Sequence, residues 1–265
     1  MCRWLAYRGD NVFLEQLIFE PDNSLASQSL AAQHSHWPTN GDGFGVGWYA
    51  ERDTPGLFRD VLPAWNDANL RNVSAQVRSR LFFAHVRAST GTSTARSNCH
   101  PFQYRNWLFM HNGQIGGFDQ VRRTLMLQVE PTLFAHIQGS TDSELFFYLL
   151  LTNGGTEDPL GAFAITVGQV LQAMQRLQID EPFRMSAALT DGDQIVAIRF
   201  ANDDRAPSLF HGEADILTGA DGVLIASEPL DPDAGPWRAI DQSHWLHADA
   251  NGISTGVFEP GHPAS

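Results

Sequence analysis

Apolar runs of strand length, punctuated by Gly and Pro clusters, recur along this chain and restrict it to folds built on sheets. They span Cys2 to Tyr7, Phe44 to Tyr49, Leu81 to Val86, Trp107 to Met110, Met185 to Leu189, Ile195 to Phe200 and Val223 to Ala226. Apolar residues recur with helical spacing between them, at Leu25 to Gln33, Asn69 to Arg78, Phe118 to Leu127, Ser143 to Leu151 and Phe163 to Leu177. Strands and helices mix without strict alternation. The pattern therefore predicts α+β packing, with largely antiparallel sheets and helices outside them, over a doubly wound parallel sheet. Thr190-Asp191-Gly192-Asp193 reads as a hairpin turn. With no repeat and no low-complexity linker in 265 residues, one domain over residues 1–265 is expected.

The chain carries 17 basic against 30 acidic residues, a formal net charge of −13, and no stripe of Lys or Arg. A surface of that sign repels phosphate backbones and anionic headgroups, so neither nucleic acid nor a membrane is an expected partner. The opening MCRWLAYRGD lacks the basic-then-apolar order of a secretory signal, and no apolar run approaches the length of a membrane span. The cytoplasm is the expected setting, with Cys2 and Cys99 as free thiols.

Cys2 directly follows the initiator methionine. Removal of Met1 makes it a thiol carrying its own α-amino group, whose ordinary pKa is roughly 7.7–8.0. Nucleophile and base then share one residue, although a cysteine there, taken alone, is more often an accident of the start codon. Ala84-His85-Val86-Arg87-Ala88-Ser89-Thr90-Gly91 ends an apolar strand. Arg87, with hydroxyls at Ser89 and Thr90, can hold a carboxylate bidentately or form an ordinary strand-end salt bridge; His85, on the same face, reads as a core histidine. In Met110-His111-Asn112-Gly113-Gln114, Asn-Gly reads first as a turn. The same pair can present an amide and a backbone N–H to a developing oxyanion, one such donor being worth roughly 3–4 kcal/mol in a transition state. Gly139-Ser140-Thr141-Asp142-Ser143-Glu144 predicts a capping box between Thr141 and Glu144. Asp142 is then left to face an ammonium group or to complement the helix dipole.

Taken together and in order, Cys2, His85-Val86-Arg87, Asn98-Cys99-His100-Pro101, His111-Asn112-Gly113 and Thr141-Asp142 resemble the motif set of the class II glutamine amidotransferases, a family of N-terminal-nucleophile hydrolases. Val223 to Leu230 is similar to a late strand of that family, which extends the likeness over the chain. The resemblance implies a four-layer αββα sandwich of two mostly antiparallel sheets. It implies that Cys2 attacks a γ-carboxamide, that its α-amino group moves the proton, and that Asn112 with the Gly113 N–H stabilises the oxyanion. Water then releases glutamate from a thioester. Arg87 would clamp the substrate α-carboxylate, Asp142 would pair with its α-ammonium, and Ser89, Thr90 and His100 would line the pocket. No metal and no cofactor is implied.

Family members best known for this domain pass ammonia to a fused synthetase, for which this chain leaves little room. Either a separate acceptor enzyme or water is the expected acceptor. The opening Met1-Cys2-Arg3-Trp4-Leu5 resembles stand-alone members that hydrolyse γ-glutamyl conjugates, in ergothioneine synthesis and in glutathione breakdown. Glutamine and γ-glutamyl conjugates are thus both expected small-molecule substrates, and a homodimer is compatible with the apolar segments. Two other readings stay open: a metal site at His34-Ser35-His36 or at His244 with His247, and a catalytically idle γ-glutamyl-binding partner protein. Cys99 reads as a buried, unreactive thiol. The leaving-group wall is expected from Ala50 to Asn69 and Asn202 to Asp221, with Trp37, Trp48 and Trp65 as candidate linings or as core packing.

Overall fold

A computed structural model describes residues 2–30, 40–89, 93–231, 233 and 235–261. The strands are β1 (Arg3–Phe13), β2 (Phe44–Tyr49), β3 (Gly56–Asp60), β4 (Arg78–Val86), β5 (Phe102–Tyr104), β6 (Trp107–Gln114), β7 (Arg184–Thr190), β8 (Ile195–Ala201), β9 (Phe210–Glu213), β10 (Gly222–Ala226), β11 (Arg238–Ala239), β12 (His244–Asp249) and β13 (Gly252–Val257). The helices are α1 (Glu15–Ile18), α2 (Leu25–Leu30), α3 (Ala68–Ser74), α4 (Phe118–Met126), α5 (Pro131–Phe134), α6 (Asp142–Thr152), α7 (Pro159–Arg176) and α8 (Asp215–Thr218). Among the described residues one sheet has seven strands in the order β11-β9-β10-β1-β4-β2-β3, the other six in the order β13-β12-β8-β7-β6-β5. All the pairings described are antiparallel.

Successive side chains on a strand face opposite sides, so each sheet has two faces to cover. Trp4 and Ala6 of β1 pack with Phe83 of β4, Leu108 and Met110 of β6 and Ala188 of β7, between the sheets. Leu5 and Tyr7 face the other way, onto Leu17, Leu25 and Leu70 of α1, α2 and α3. In the second sheet Phe109 turns outward to Leu125, Phe147 and Phe163 of α4, α6 and α7. The molecule is the expected α+β, four-layer αββα sandwich. Phe109 and Phe147 stack at 5.3 Å, with planes 4° apart. Truncating Phe109 to Ala should cost about 3–5 kcal/mol, the usual figure for a buried aromatic.

Several expected boundaries move, each for a local reason. β6 runs on to Gln114, so Asn112-Gly113 is not a turn but part of the β6–β7 ladder, opposite Ser186 and Met185. Gly113 has φ +148° there, and a Cβ would stand 1.9 Å from the Arg184 carbonyl oxygen, which explains a glycine in mid-strand. α7 begins at Pro159 and not at Phe163, because Asp158 accepts from the Gly161 N–H at 3.1 Å and Pro159 needs no donor in the first turn. α3 ends at Ser74, since Arg78 already opens β4. α2 covers Leu25–Leu30, and the remainder of that expected helix lies outside the described residues. The Thr190–Asp193 hairpin joins β7 to β8 as expected. Among the described residues no helix is long and apolar enough to cross a membrane.

Candidate active site

β1, β4 and β6 carry the motif residues to one end of the layer between the sheets. By strand alternation Cys2 shares the inward face of Trp4 and Ala6, Arg87 that of Phe83 and His85, and Asn112 that of Leu108 and Met110. Two contacts bridge the sheets at this end. Trp4 Nε1 donates to Ser186, at 3.2 Å to Oγ and 3.3 Å to the carbonyl oxygen, and Ser186 is the cross-strand partner of Asn112. His85 Nε2 lies 3.2 Å from the His111 carbonyl oxygen.

Cys2 is half-buried. Its sulfur accepts from the Ala88 N–H at 3.4 Å and donates to the Ala88 carbonyl at 3.6 Å. Burial pushes the thiol above its ordinary range, opposed by the Ala88 hydrogen bond and by the charges of Arg87 and Arg3. A thiol held neutral needs a base to become a nucleophile. Asn112 is 1 % exposed, yet neither Oδ1 nor Nδ2 has a partner. An unpaired buried amide costs roughly 1–3 kcal/mol, and native proteins seldom bear that without a use for the group.

Arg87 is 3 % exposed. Its Nη1 donates to the Asp42 carbonyl at 3.3 Å, and Nη2 to Ser89 Oγ and the Ser93 carbonyl, both at 3.4 Å. Its guanidinium is thus held in the turn between Asp42 and Ser93, in the planar form that suits a carboxylate. Asp42 Oδ2 accepts from the Ser89 N–H at 2.7 Å and fixes the turn that carries Ser89. Sequence reasoning missed Asp42, because Asn40-Gly41-Asp42-Gly43 has the composition of a plain turn. Thr90 lies outside the described residues, as do Met1, His34, His36 and Trp37.

Asp142 is not left free by a capping box. Thr141 Oγ1 accepts from the Glu144 N–H at 3.2 Å, but the Glu144 carboxylate turns to the N–H groups of Gln138 at 3.0 Å and Gly139 at 2.6 Å, so half the box forms. Asp142 Oδ2 accepts from the Ile115 N–H at 2.8 Å and Oδ1 from the Ser143 N–H at 2.8 Å. The first of these bonds ties the start of α6 to Ile115, just past the end of β6. Asn98 makes a second tie, accepting from the Ser140 N–H at 2.9 Å and donating to the Ser93 carbonyl at 2.9 Å.

Three histidines pack around this core. His100 stacks on His85 with ring centres 4.1 Å apart and meets Phe102 edge-on at 4.5 Å, while His111 Nδ1 sits 2.8 Å from Ser143 Oγ. Burial holds all three below the ordinary histidine range, His85 at about 3. They are neutral at physiological pH and bring no cation to the site. Cys99 is buried, its thiol pushed up by burial and donating to the carbonyls of Asp60 at 3.4 Å and Ala95 at 3.6 Å. Its expected burial is thus observed.

Other expected positions lie elsewhere. His244 and His247, three apart on β12, take opposite faces and contact the Gln242 carbonyl at 3.0 Å and Gln194 Oε1 at 2.8 Å. Among the described residues no group of three His, Cys, Asp or Glu is placed to hold a metal ion. Trp48 packs on the helix side of its sheet, over Gly56. Depressions of about 430 and 530 Å³ open at the opposite end of the sandwich, the first around Arg8–Asp10 and the second around Ala50–Thr54 and Asp191–Asp193. The Ala50–Thr54 part of the expected leaving-group wall is therefore remote from Cys2. Asn202 and Asp203 do reach the end that carries Cys2 and Asn112, where Asp203 pairs at 2.6 Å with Arg184, the ladder partner of Gln114.

Known proteins resemble this chain in sequence and in architecture. The model of the class-II glutamine amidotransferases matches residues 18–208. The chain is 34 % identical over 286 residues to the probable glutamine amidotransferase DUG3 of Saccharomyces cerevisiae, covering 91 % of this chain and 79 % of the yeast protein. It is 27 % identical to the gamma-glutamyl-hercynylcysteine sulfoxide hydrolase of Mycobacterium tuberculosis, over 98 % of this chain and 97 % of that one. A glutamine aminotransferase class-II domain protein from Silicibacter pomeroyi superposes with a TM-score of 0.79 at 36 % identity, over 98 % of this chain and 100 % of that one. With its order of motifs, its four-layer sandwich and a match running through most of its length, the chain belongs to the class-II glutamine amidotransferases.

Proposed function

We propose that this enzyme hydrolyses the γ-amide of glutamine or of a γ-glutamyl conjugate through a thioester on Cys2. The observation that carries the reading is the buried, unpartnered amide of Asn112, on the inward face of the strand across the layer from Cys2. Once Met1 is removed, the Cys2 α-amino group takes the thiol proton and Sγ attacks the γ-carbonyl carbon. The carbonyl oxygen becomes an oxyanion and accepts hydrogen bonds from Asn112 Nδ2 and the Gly113 N–H. Collapse breaks the C–N bond, and the leaving amine takes the proton held by the Cys2 ammonium. Water, deprotonated by the same amino group, attacks the thioester, and glutamate leaves as the thiol regains its proton.

Arg87 receives the substrate α-carboxylate, with Ser89 alongside and His100 packing the wall, and Asp142 faces the α-ammonium. The two fixed charges make the glutamyl end the constant part of the substrate, because an analogue lacking either charge forgoes a charge-assisted contact. One relative is named a probable glutamine amidotransferase and another, more distant one a gamma-glutamyl-hercynylcysteine sulfoxide hydrolase, and the second name supports amines larger than ammonia as leaving groups. The free thiols suit the reducing cytoplasm.

The test is glutamate release by Met1-processed protein from glutamine, glutathione and a panel of γ-glutamyl amides, with Cys2→Ala as control. Release confined to the wild type supports the reading, and the best substrate identifies the leaving group. Equal release by Cys2→Ala, or none from any substrate, sinks it.

A further inference from the structure

Arg3 and Glu228 are 1 % and 0 % exposed, and Arg3 Nε meets Glu228 Oε1 at 2.5 Å. Burying two charges is costly, and well-packed apolar pairs commonly serve stability as well or better. The location of this pair suggests a different use. Arg3 Nη1 also donates to the Cys2 carbonyl oxygen at 2.9 Å.

The end of β1 explains why that contact matters. The ladder to β10 starts only at Leu5, opposite Ala226, so residues 2–4 lack strand partners on that side. The segment after β10 fills the gap with Ser227 and Glu228. Trp4 N donates to Ser227 Oγ at 3.0 Å, Ser227 N donates to the Trp4 carbonyl at 3.0 Å, and Glu228 takes Arg3. On the other side the β4 ladder reaches Arg3, opposite Val86, and Ala88 then holds the Cys2 sulfur. A nucleophile at a chain terminus has no preceding residue to orient it, so its geometry rests on the contacts of its own side chain and on whatever grips its carbonyl.

We propose that Arg3, fixed by Glu228, is the positioning residue of the nucleophile: its guanidinium holds the Cys2 carbonyl and so sets where the thiol and α-amino group stand relative to Asn112. The proposal rests on Cys2 being the nucleophile. Arg3 touches no reacting atom, and its effect falls on the turnover step and not on substrate binding. A planar guanidinium can bind the carboxylate and the carbonyl oxygen at once; an ammonium at the same place serves both poorly.

The test compares wild type, Arg3→Met/Glu228→Gln, Arg3→Lys and Cys2→Ala in glutamate release, with intact mass to verify Met1 removal and thermal melting to verify folding. The double variant deletes both charges together, so no buried charge is left unpaired. It should melt within about 5 °C of wild type, since removing both partners is often near neutral. Its kcat should fall roughly 10- to 100-fold, the scale of a nucleophile displaced by about 1 Å, with KM changed by less than about threefold. Arg3→Lys, which retains the buried charge, should lose about tenfold in kcat, and both variants should alkylate more slowly at Cys2 near neutral pH. A folded, Met1-free double variant or Arg3→Lys with kcat within about threefold of wild type overturns the proposal, as does a loss confined to KM. A wild type without release, or a Cys2→Ala variant that retains it, instead defeats the nucleophile reading and this proposal with it; that failure is recognised without any Arg3 variant.

Discussion

Replacing Asn112 by Ala separates catalysis from stability. In the resting protein both polar atoms of Asn112 are buried and unpartnered, so the substitution deletes no hydrogen bond. It relieves a desolvation cost of roughly 1–3 kcal/mol and opens a small cavity whose cost is of similar size and opposite sign. The net change is close to zero, and melting should move by less than about 4 °C, given about 2–4 °C per kcal/mol for a chain of this size. In the transition state the same substitution removes one oxyanion donor, worth roughly 3–4 kcal/mol, or about 100- to 1,000-fold in kcat. The assay is kcat and KM for glutamate release beside a melting curve of the same sample. A kcat within about tenfold of wild type would refute the oxyanion role, and a melting point lowered by more than about 8 °C would show that the amide holds the fold.

Other expectations follow from the same geometry. Arg87→Lys should lower kcat/KM about 10- to 100-fold, because a point charge cannot clamp a carboxylate with two parallel bonds; an unchanged value would remove Arg87 from the substrate. Asp142→Asn should lower kcat/KM for γ-glutamyl substrates by a similar factor, while an analogue lacking the α-ammonium loses less, and equal losses would deny the pairing. His85 has a folded pKa of about 3, below an unfolded value of roughly 6.5, so its stability contribution is intact above the unfolded value and is lost as pH falls toward 3. From pH 7 to pH 5 that loss is about 2 kcal/mol, and urea unfolding of His85→Gln should show a correspondingly smaller drop. Arg80→Ala, which breaks an ion pair whose side chains are 53 % and 78 % exposed, should change neither stability by more than about 1 kcal/mol nor kcat, and a large effect would contradict the remoteness of that end.

Some of this was legible in the residues and some was not. Apolar runs such as Leu81 to Val86 revealed the central strands, because both faces of those strands are covered and, His85 apart, each of these positions is apolar. The edge strand β13 is largely exposed, carries little apolar signal and went unseen. Asn112-Gly113 misled as a turn, since local turn chemistry outranks everything except the cross-strand partner that only the fold supplies, here Ser186 and Met185. Asp142 was placed correctly at the start of α6, but its bond to Ile115 joins distant segments and leaves no mark in sequence spacing. Arg3 and Glu228 stand 225 positions apart, so their pairing emerged only once β10 lay beside β1.

The most direct measurement is the site of labelling by an electrophilic glutamine analogue carrying a diazoketone in place of the γ-amide. Met1-processed protein would be exposed to the analogue, with and without glutamine, then weighed intact and mapped by peptide. The account predicts a single adduct on the Cys2 sulfur, slowed by glutamine, lost in Cys2→Ala and absent from the buried Cys99. Labelling at Cys99, or turnover that continues while Cys2 is fully modified, would contradict it.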